Sequence, residues 1–183
     1  MKEDILIVGM GGQGIKSAGI LLGKIAAELG LNAVVSYTYG AEVRGGAVSS
    51  GCRISTEPLL FQFVEIPDFL IVLHWKGLSH LYKKVAGIII ADGDLAGDLS
   101  GIKTKEIIKY PMTRRAEELG SRLAANLIAL GIYTALSRLI KKDIAIKVLE
   151  KEFSGKVLEI NKKAFELGFD FGKELRNKVL LRE

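Results

Sequence analysis

The run Asp4-Ile5-Leu6-Ile7-Val8-Gly9-Met10-Gly11-Gly12-Gln13-Gly14-Ile15 constrains the fold more than any other stretch of the chain. Ile5 to Val8 are β-branched or leucine, bounded by charge before and glycine after, which predicts a buried strand. Ile15, Ala18, Leu22, Ile25, Ala26 and Leu29 fall on one helical face and predict a helix over 15–29. Strand, glycine turn and helix make the opening of a βαβ unit. A helix N-terminus presents free N–H groups and the positive end of the helix dipole, and glycines let an anion come close to the backbone. The spacing Gly9-x-Gly11-x-x-Gly14 also fits a dinucleotide fingerprint. A plainer reading makes the glycines a tight turn for close helix–strand packing.

Gly30 ends the helix, and Ala33 to Tyr37 form a second strand. A nicotinamide-binding fold places an acid at the end of that strand to hold the ribose hydroxyls. Here the strand ends Ser36-Tyr37-Thr38-Tyr39, and the first acid is Glu42 in a loop. That loop is a second glycine cluster, Tyr39-Gly40-Ala41-Glu42-Val43-Arg44-Gly45-Gly46, on the same sheet edge as the first. Ligands of open α/β sheets bind outside the carboxyl ends of the strands, so both loops face one crevice. Arg44 can take a phosphate or carboxylate with two parallel hydrogen bonds. Alternatively, Glu42 and Arg44 pair with other residues or belong to an interface.

Ala47 to Ile54 alternate as a strand with Val48, Ser50, Cys52 and Ile54 inward, so Cys52 reads as a buried structural thiol. Residues 58–67 make a crossover in which Leu59, Leu60, Phe61 and Phe63 cover apolar surface. Asp68 to Leu73 predict a strand ending at His74-Trp75 on the functional edge, lining a pocket or an interface. Leu78 to Lys84 predict a short helix, Gly87 to Ala91 another strand, and Asp92 and Asp94 the turn after it. His74 and His80 stand six residues apart, poor helical register for one metal ion, and no metal site is expected. Gly9 to Ser17 nearly make a P-loop, but Ile15 moves Lys16 about 100° around the helix, away from the phosphates. Lys103 to Tyr110 predict an edge strand. A long helical region runs over 114–140, started at Thr113 and interrupted at Gly120. Buried Asn126 needs a backbone group or a neighbouring subunit as partner. Asp143 caps a short helix, and 154–181 is a final amphipathic helix.

These elements predict an α/β fold: one Rossmann-like, open, mostly parallel sheet with helices on both faces. Without repeats, low-complexity segments or linkers, residues 1–183 read as a single domain. Hydrophobic residues make up 49% of the chain and the net charge is +5, which excludes a disordered chain. The lysines are spread along helices rather than clustered with aromatics, so no nucleic-acid partner is expected, and the basic excess suits acidic partners. No apolar run reaches the roughly 18 residues of a spanning helix, so no membrane partner is expected. The first strand begins almost at once, which leaves no room for a signal peptide and predicts a cytoplasmic location. One thiol, Cys52, builds neither an intramolecular disulfide nor a cysteine-ligated iron–sulfur cluster.

Gly9-Met10-Gly11-Gly12-Gln13-Gly14 opening a helix, with Tyr39-Gly40-Ala41-Glu42-Val43-Arg44-Gly45-Gly46 about 25 residues later, resembles the gamma subunit of 2-oxoacid:ferredoxin oxidoreductases. Asn126-Leu127-Ile128-Ala129-Leu130-Gly131 is similar to a helical segment in that family's C-terminal third. The form of the second loop looks most like the 2-oxoglutarate and branched-chain oxoacid members. The resemblance implies a complex that decarboxylates a 2-oxoacid on thiamine diphosphate, passes electrons through iron–sulfur clusters to ferredoxin, and transfers the acyl group to coenzyme A. Thiamine diphosphate would lie between alpha and beta subunits, and the clusters on beta and a ferredoxin-like delta chain or domain. The gamma chain alone would bind none of these, would hold no catalytic residue, and would be inactive in isolation. Its loops would help seat coenzyme A, shared with the partners. Gly11, Gly12, Gln13 and Gly14 would supply N–H groups to an anion such as a coenzyme A phosphate, with Arg44 adding charge. Gly9, Tyr39, Gly40, Glu42, Gly45 and Gly46 would complete the site. Two alternatives stand beside this: a free-standing dinucleotide-dependent oxidoreductase, and an interaction module whose glycine loops only pack.

Overall fold

The computed structural model describes residues 1–40, 45–78 and 85–180, with side chains as far as Arg176. Glu42, Arg44, His80 and nearly all of the helix expected over 78–84 lie outside the described residues. Six strands, β1 (Lys2–Met10), β2 (Asn32–Tyr39), β3 (Ala47–Ser55), β4 (Phe69–Val72), β5 (Ile88–Asp92) and β6 (Glu106–Tyr110), form one sheet in the order β2-β3-β1-β4-β5-β6. β1, β4, β5 and β6 pair in parallel, while β3 runs antiparallel to both β1 and β2. The helices are α1 (Ile15–Glu28), α2 (Met112–Glu118), α3 (Ala125–Leu136), α4 (Lys142–Glu152) and α5 (Gly155–Leu180).

Strand alternation divides the core in two. Ile5, Ile7, Cys52, Ile54, Ile71 and Ile90 face the helices and join Leu22, Ile25, Ile128, Tyr133, Leu149 and Phe165 in the larger core. Leu6, Val8, Leu70, Val72 and Ile89 face the other way. Among the described residues they are covered by Val64, Leu78, Val85, Ala96, Leu99 and Ile102. α3 is buried all round from Ala125 to Ala135, as an apolar helix held between the sheet and α5 must be. Cys52 has the expected place in the core, where burial pushes its thiol up to about 12.

Several local expectations need correction. The helical region expected over 114–140 breaks at Gly120 as expected, but it begins at Met112 and ends at Leu136. Gly120, at φ 95°, takes the left-handed turn after α2, and a 3-10 turn at Arg122–Ala124 re-aims the chain into α3. α2 starts at Met112, with Asp92 rather than Thr113 as its anchor. The fully buried Asp92 carboxylate accepts from the N–H groups of Asp94, Leu95 and Thr113 (3.0, 3.2 and 2.7 Å). Asp143 lies in the first turn of α4, where it favours the dipole, and Lys141 is the cap position. The crossover does not cover apolar surface with Leu60, Phe61 and Phe63. Arg53 holds the Phe61 carbonyl (3.1 Å), and these side chains point outward, 90, 75 and 63% exposed.

Candidate anion site at the start of α1

β1 ends at Met10, and the chain turns through Gly11 to Gly14 into α1. Gly12 and Gly14 have φ of 97° and 70°, the left-handed region that a glycine adopts without strain. The Gln13 side chain holds the turn from inside. Its Oε1 accepts from the Met10 N–H (2.8 Å) and its Nε2 donates to the Leu73 carbonyl at the end of β4 (3.2 Å). Gly9 lies against the same side chain: a Cβ there would come within 2.6 Å of Gln13 Oε1 and 2.7 Å of Ile15 Cδ1. Gly9 is thus a packing residue.

The second loop meets the first because β3 pairs with both β1 and β2. Met10 faces Ala47 and Tyr39 faces Val48 across the two ladders. Both glycine turns therefore leave the same sheet edge. The Gly11 N–H donates to the Gly46 carbonyl (2.9 Å), Gly40 N–H donates to the Ala47 carbonyl (2.7 Å), and Gly45 packs beside Gly11.

Two of the expected anion donors are already used. The Gly11 N–H is bound to Gly46, and the Gln13 N–H donates to the Met10 carbonyl (3.2 Å). Among the described residues the N–H groups of Gly12, Gly14, Ile15, Lys16 and Ser17 have no partner. These five residues, with Met10, Gly11, Tyr39 and Val48, line a cleft of about 290 Å³. Unpaired N–H groups and the positive dipole end suit one bound anion. Lys16 borders the cleft, with its ammonium 4.2 Å from the centre of the Tyr37 ring. Tyr37 and Tyr39 stack edge to face and are about half exposed. Lys16, which helical register sets off the P-loop position, and Ser17 both border the cleft. Their signal was available in their place within the first turn of α1.

Beside the loop, the 3-10 turn Trp75–Gly77 packs Gly77 directly on the backbone of Gly9, so closely that a Cβ would overlap the Gly9 nitrogen. Nothing in the sequence pattern singled out Gly77. His74 and Trp75 stand at the expected edge. His74 Nδ1 accepts from the Lys76 N–H (3.1 Å), so a neutral ring carries its proton on Nε2. Partial burial, then the charges of Lys76 and Arg122, lower the His74 pKa below its usual value. Among the described residues no three His, Cys, Asp or Glu side chains are grouped to hold a metal ion. The three hydrogen bonds of Asp92 tie it to the turn after β5 and to the start of α2. β3 also separates β2 from β1 by two strand spacings, about 9–10 Å. The residues that would meet a ribose at the end of β2 are Tyr37 and Tyr39, which disfavours a dinucleotide site.

Comparison with known proteins agrees with this architecture. Residues 4–171 match the family described as pyruvate ferredoxin/flavodoxin oxidoreductase. The chain is 36% identical to the 2-oxoglutarate synthase subunit KorC of Methanocaldococcus jannaschii, covering 96% of each. It is 32% identical to the KorC of Archaeoglobus fulgidus, covering 94% of this chain and 89% of the other. The gamma subunit of a keto/oxoacid ferredoxin oxidoreductase from Geobacter sulfurreducens superposes with a TM-score of 0.78 at 30% identity, covering 93% of this chain and 98% of that one. No helix among the described residues is long and apolar enough to cross a membrane. The chain belongs to the pyruvate ferredoxin/flavodoxin oxidoreductase family and is of the gamma-subunit type found in 2-oxoacid:ferredoxin oxidoreductases.

Proposed function

We propose that this chain serves a complex that oxidatively decarboxylates 2-oxoglutarate to its acyl-coenzyme A and reduces ferredoxin, and that its paired glycine loops seat a phosphate of coenzyme A. The observation that carries the loop assignment is the group of N–H donors at Gly12, Gly14, Ile15, Lys16 and Ser17, unpaired among the described residues and belonging to residues that border one cleft together with the Lys16 side chain. On this reading Arg44, which lies outside the described residues, would add a second cation. A structural relative from Magnetococcus marinus, 27% identical with a TM-score of 0.78, is a 2-oxoglutarate:ferredoxin oxidoreductase with 2-oxoglutarate, coenzyme A and succinyl-CoA bound. This chain covers 94% of its own length and 31% of that one, so the relative carries the fold within a longer chain.

2-Oxoglutarate is favoured by the KorC relatives at 32–36% identity. The ketoisovalerate subunit VorA and the pyruvate subunit PorC of Methanothermobacter marburgensis follow at 32 and 30%. The oxoacid itself would be chosen by the partner chains. Thiamine diphosphate and the iron–sulfur clusters would also belong to alpha, beta and delta partners, because a single buried thiol, Cys52, ligates no cluster. On this reading the gamma chain alone turns nothing over.

The test uses the assembled complex and separates two half-reactions. The combination Gly12→Val with Arg44→Ala should weaken acyl transfer to coenzyme A well beyond its effect on oxoacid decarboxylation. A Cβ at Gly12 meets no neighbour within 4 Å among the described residues, but the φ of 97° strains the loop that carries the donors once a β-branched side chain is placed there. Equal losses in both half-reactions would mean that the loops serve assembly. Rates with 2-oxoglutarate, pyruvate and 3-methyl-2-oxobutanoate decide the substrate.

A further inference from the structure

Asn126 sits in the first turn of α3, 6% exposed, on a helix otherwise apolar from Ala125 to Tyr133. Its Nδ2 donates to the carbonyls of Gln13 (3.3 Å) and Gly14 (3.2 Å). Its Oδ1 is buried without a partner among the described residues. A half-satisfied amide is a poor choice for the interior on grounds of stability, since an apolar side chain of the same shape leaves no acceptor stranded. What Asn126 supplies, and leucine would not, is the pair of bonds to two consecutive carbonyls of the glycine turn.

Those bonds set the direction of the anion donors. In a trans peptide the C=O and the next N–H point to opposite sides of one rigid plane. Drawing the Gln13 carbonyl toward α3 turns the Gly14 N–H away from α3. Drawing the Gly14 carbonyl inward does the same to the Ile15 N–H. Both N–H groups are unpaired among the described residues, and both residues border the cleft. The turn and the amide are fitted to one another: a Cβ on Gly14 would overlap Asn126 Nδ2. The Gly14 carbonyl also accepts the first helical bond of α1, from Ala18 (2.9 Å), so the same atom fixes the helix start and the loop.

We infer that Asn126 is a positioning residue for the anion seat, holding the peptides 13–14 and 14–15 so that the Gly14 and Ile15 N–H groups face a phosphate in the cleft. This rests on the reading that the cleft seats a coenzyme A phosphate. The residue touches neither the phosphate nor the reacting thiol. Its loss should therefore weaken recognition of the phosphate-bearing end of the acceptor and leave oxoacid chemistry alone.

The experiment measures kcat and KM in the assembled complex for coenzyme A, for the oxoacid, and for pantetheine, a thiol acceptor without phosphates. Asn126→Leu should raise the coenzyme A KM about tenfold, the effect of losing two aimed donors. The oxoacid KM, and the rate with pantetheine relative to wild type, should stay within about twofold. Asn126→Asp gives a second readout. A carboxyl facing two carbonyl oxygens can donate only while protonated, so its coenzyme A KM should fall toward the wild-type value as pH is lowered and rise as pH increases. Lys16→Ala separates the inference from the reading beneath it. If Lys16→Ala raises the coenzyme A KM while both Asn126 variants leave it unchanged, the cleft is an anion seat and the positioning role is refuted. If none of the three moves it, the coenzyme A assignment itself fails. Equal loss with pantetheine and coenzyme A, or loss of assembly in both Asn126 variants, makes Asn126 a folding residue and overturns the inference.

Discussion

Glu3 ties the start of β1 to the far end of α3, and replacing it should cost more stability than any exposed ion pair in the chain. The carboxylate is 7% exposed. Its Oε2 accepts from Tyr133 Oη and Ser137 Oγ, both at 2.7 Å, and its Oε1 from the Arg138 N–H at 2.8 Å. Burial, then the nearby charge of Glu3, push the Tyr133 hydroxyl well above its usual pKa, so it stays a donor at neutral pH. Ser137 Oγ already accepts from the N–H groups of Leu139 and Ile140 (3.1 and 3.0 Å), which leaves its proton for Glu3. Hydrogen bonds to a charged group contribute about 1.5–3 kcal/mol each. A cavity of about 370 Å³ borders Glu3 and Arg138, so water can replace one of the three bonds. The two buried hydroxyls cannot be reached so easily. Glu3→Ala should therefore lower the unfolding free energy by about 3–5 kcal/mol. Glu3→Gln keeps the shape but places an NH₂ against either the Ser137 proton or the Arg138 N–H, for a loss of about 1–2 kcal/mol. Urea unfolding followed by far-UV circular dichroism measures both. A loss below about 1 kcal/mol for Glu3→Ala, or equal losses for the two variants, would refute the hydrogen-bond account.

Two further outcomes test the site's support and the helix layer. Gly77→Ala should destabilise by about 2–3 kcal/mol, because its Cβ would come within 2.8 Å of Gly9 Cα and Val8 C on the immovable end of β1. Gly101→Ala, with nothing within 4 Å among the described residues, is the control; thermal melts that do not separate the two would sink the close-packing reading. Glu28 joins α1 to α4 through Lys147 and Lys151 (2.7 and 2.8 Å), hydrogen bonds that lower its pKa from 4.5 to about 2. A lowered carboxylate pKa gives stability that is full above 4.5 and lost as pH falls toward 2. Glu28→Gln should therefore be less stable than wild type at neutral pH and show a smaller fall in stability over that acid range. An unchanged slope would mean that the ion pairs contribute nothing.

The elements nearest the site were legible because their signals are local. A β-branched run, glycines and a 3.6-residue apolar period predicted β1, the turn and α1 within a few residues. Alternation over Ala47 to Ile54 assigned Cys52 to the inner face, and burial of Asn126 called for either a backbone group or a neighbouring subunit as partner, of which the backbone carbonyls of Gln13 and Gly14 are found. Roles that depend on a distant neighbour were hidden. Gly77 matters only because β1 ends beneath it, and Asp92 reads as a turn residue until α2 is brought onto its carboxylate. Leu60, Phe61 and Phe63 have the composition of buried residues, yet an extended crossover held through its backbone by Arg53 carries them outward.

The least legible feature is also the one that bears most on function. Every strand of the opening unit can be read from its own residues, but alternation in β3 does not reveal which neighbours it will pair with. Insertion of β3 antiparallel between β2 and β1 has two consequences for chemistry. It moves the end of β2 two strands away from the glycine turn, beyond the place where a ribose on a nucleotide bound to β1 would be held. It also makes β2 and β3 antiparallel neighbours whose return strand starts against Met10, so Gly45 and Gly46 lie beside Gly11. One strand inserted in the sheet thus removes the geometry of a dinucleotide site and brings the start of β3 beside the turn into α1. There the Gly11 N–H is spent on Gly46, while Gly12, Gly14 and Ile15, whose N–H groups have no partner among the described residues, border the cleft. α3 supports the arrangement from behind, bonded to the turn through Asn126 at its start and to Glu3 through Tyr133 and Ser137 at its end. On the proposed reading of the cleft as an anion seat, a substitution that loosens the Glu3 end without unfolding the chain should therefore raise the coenzyme A KM of the assembled complex, because Asn126 holds the turn at the other end.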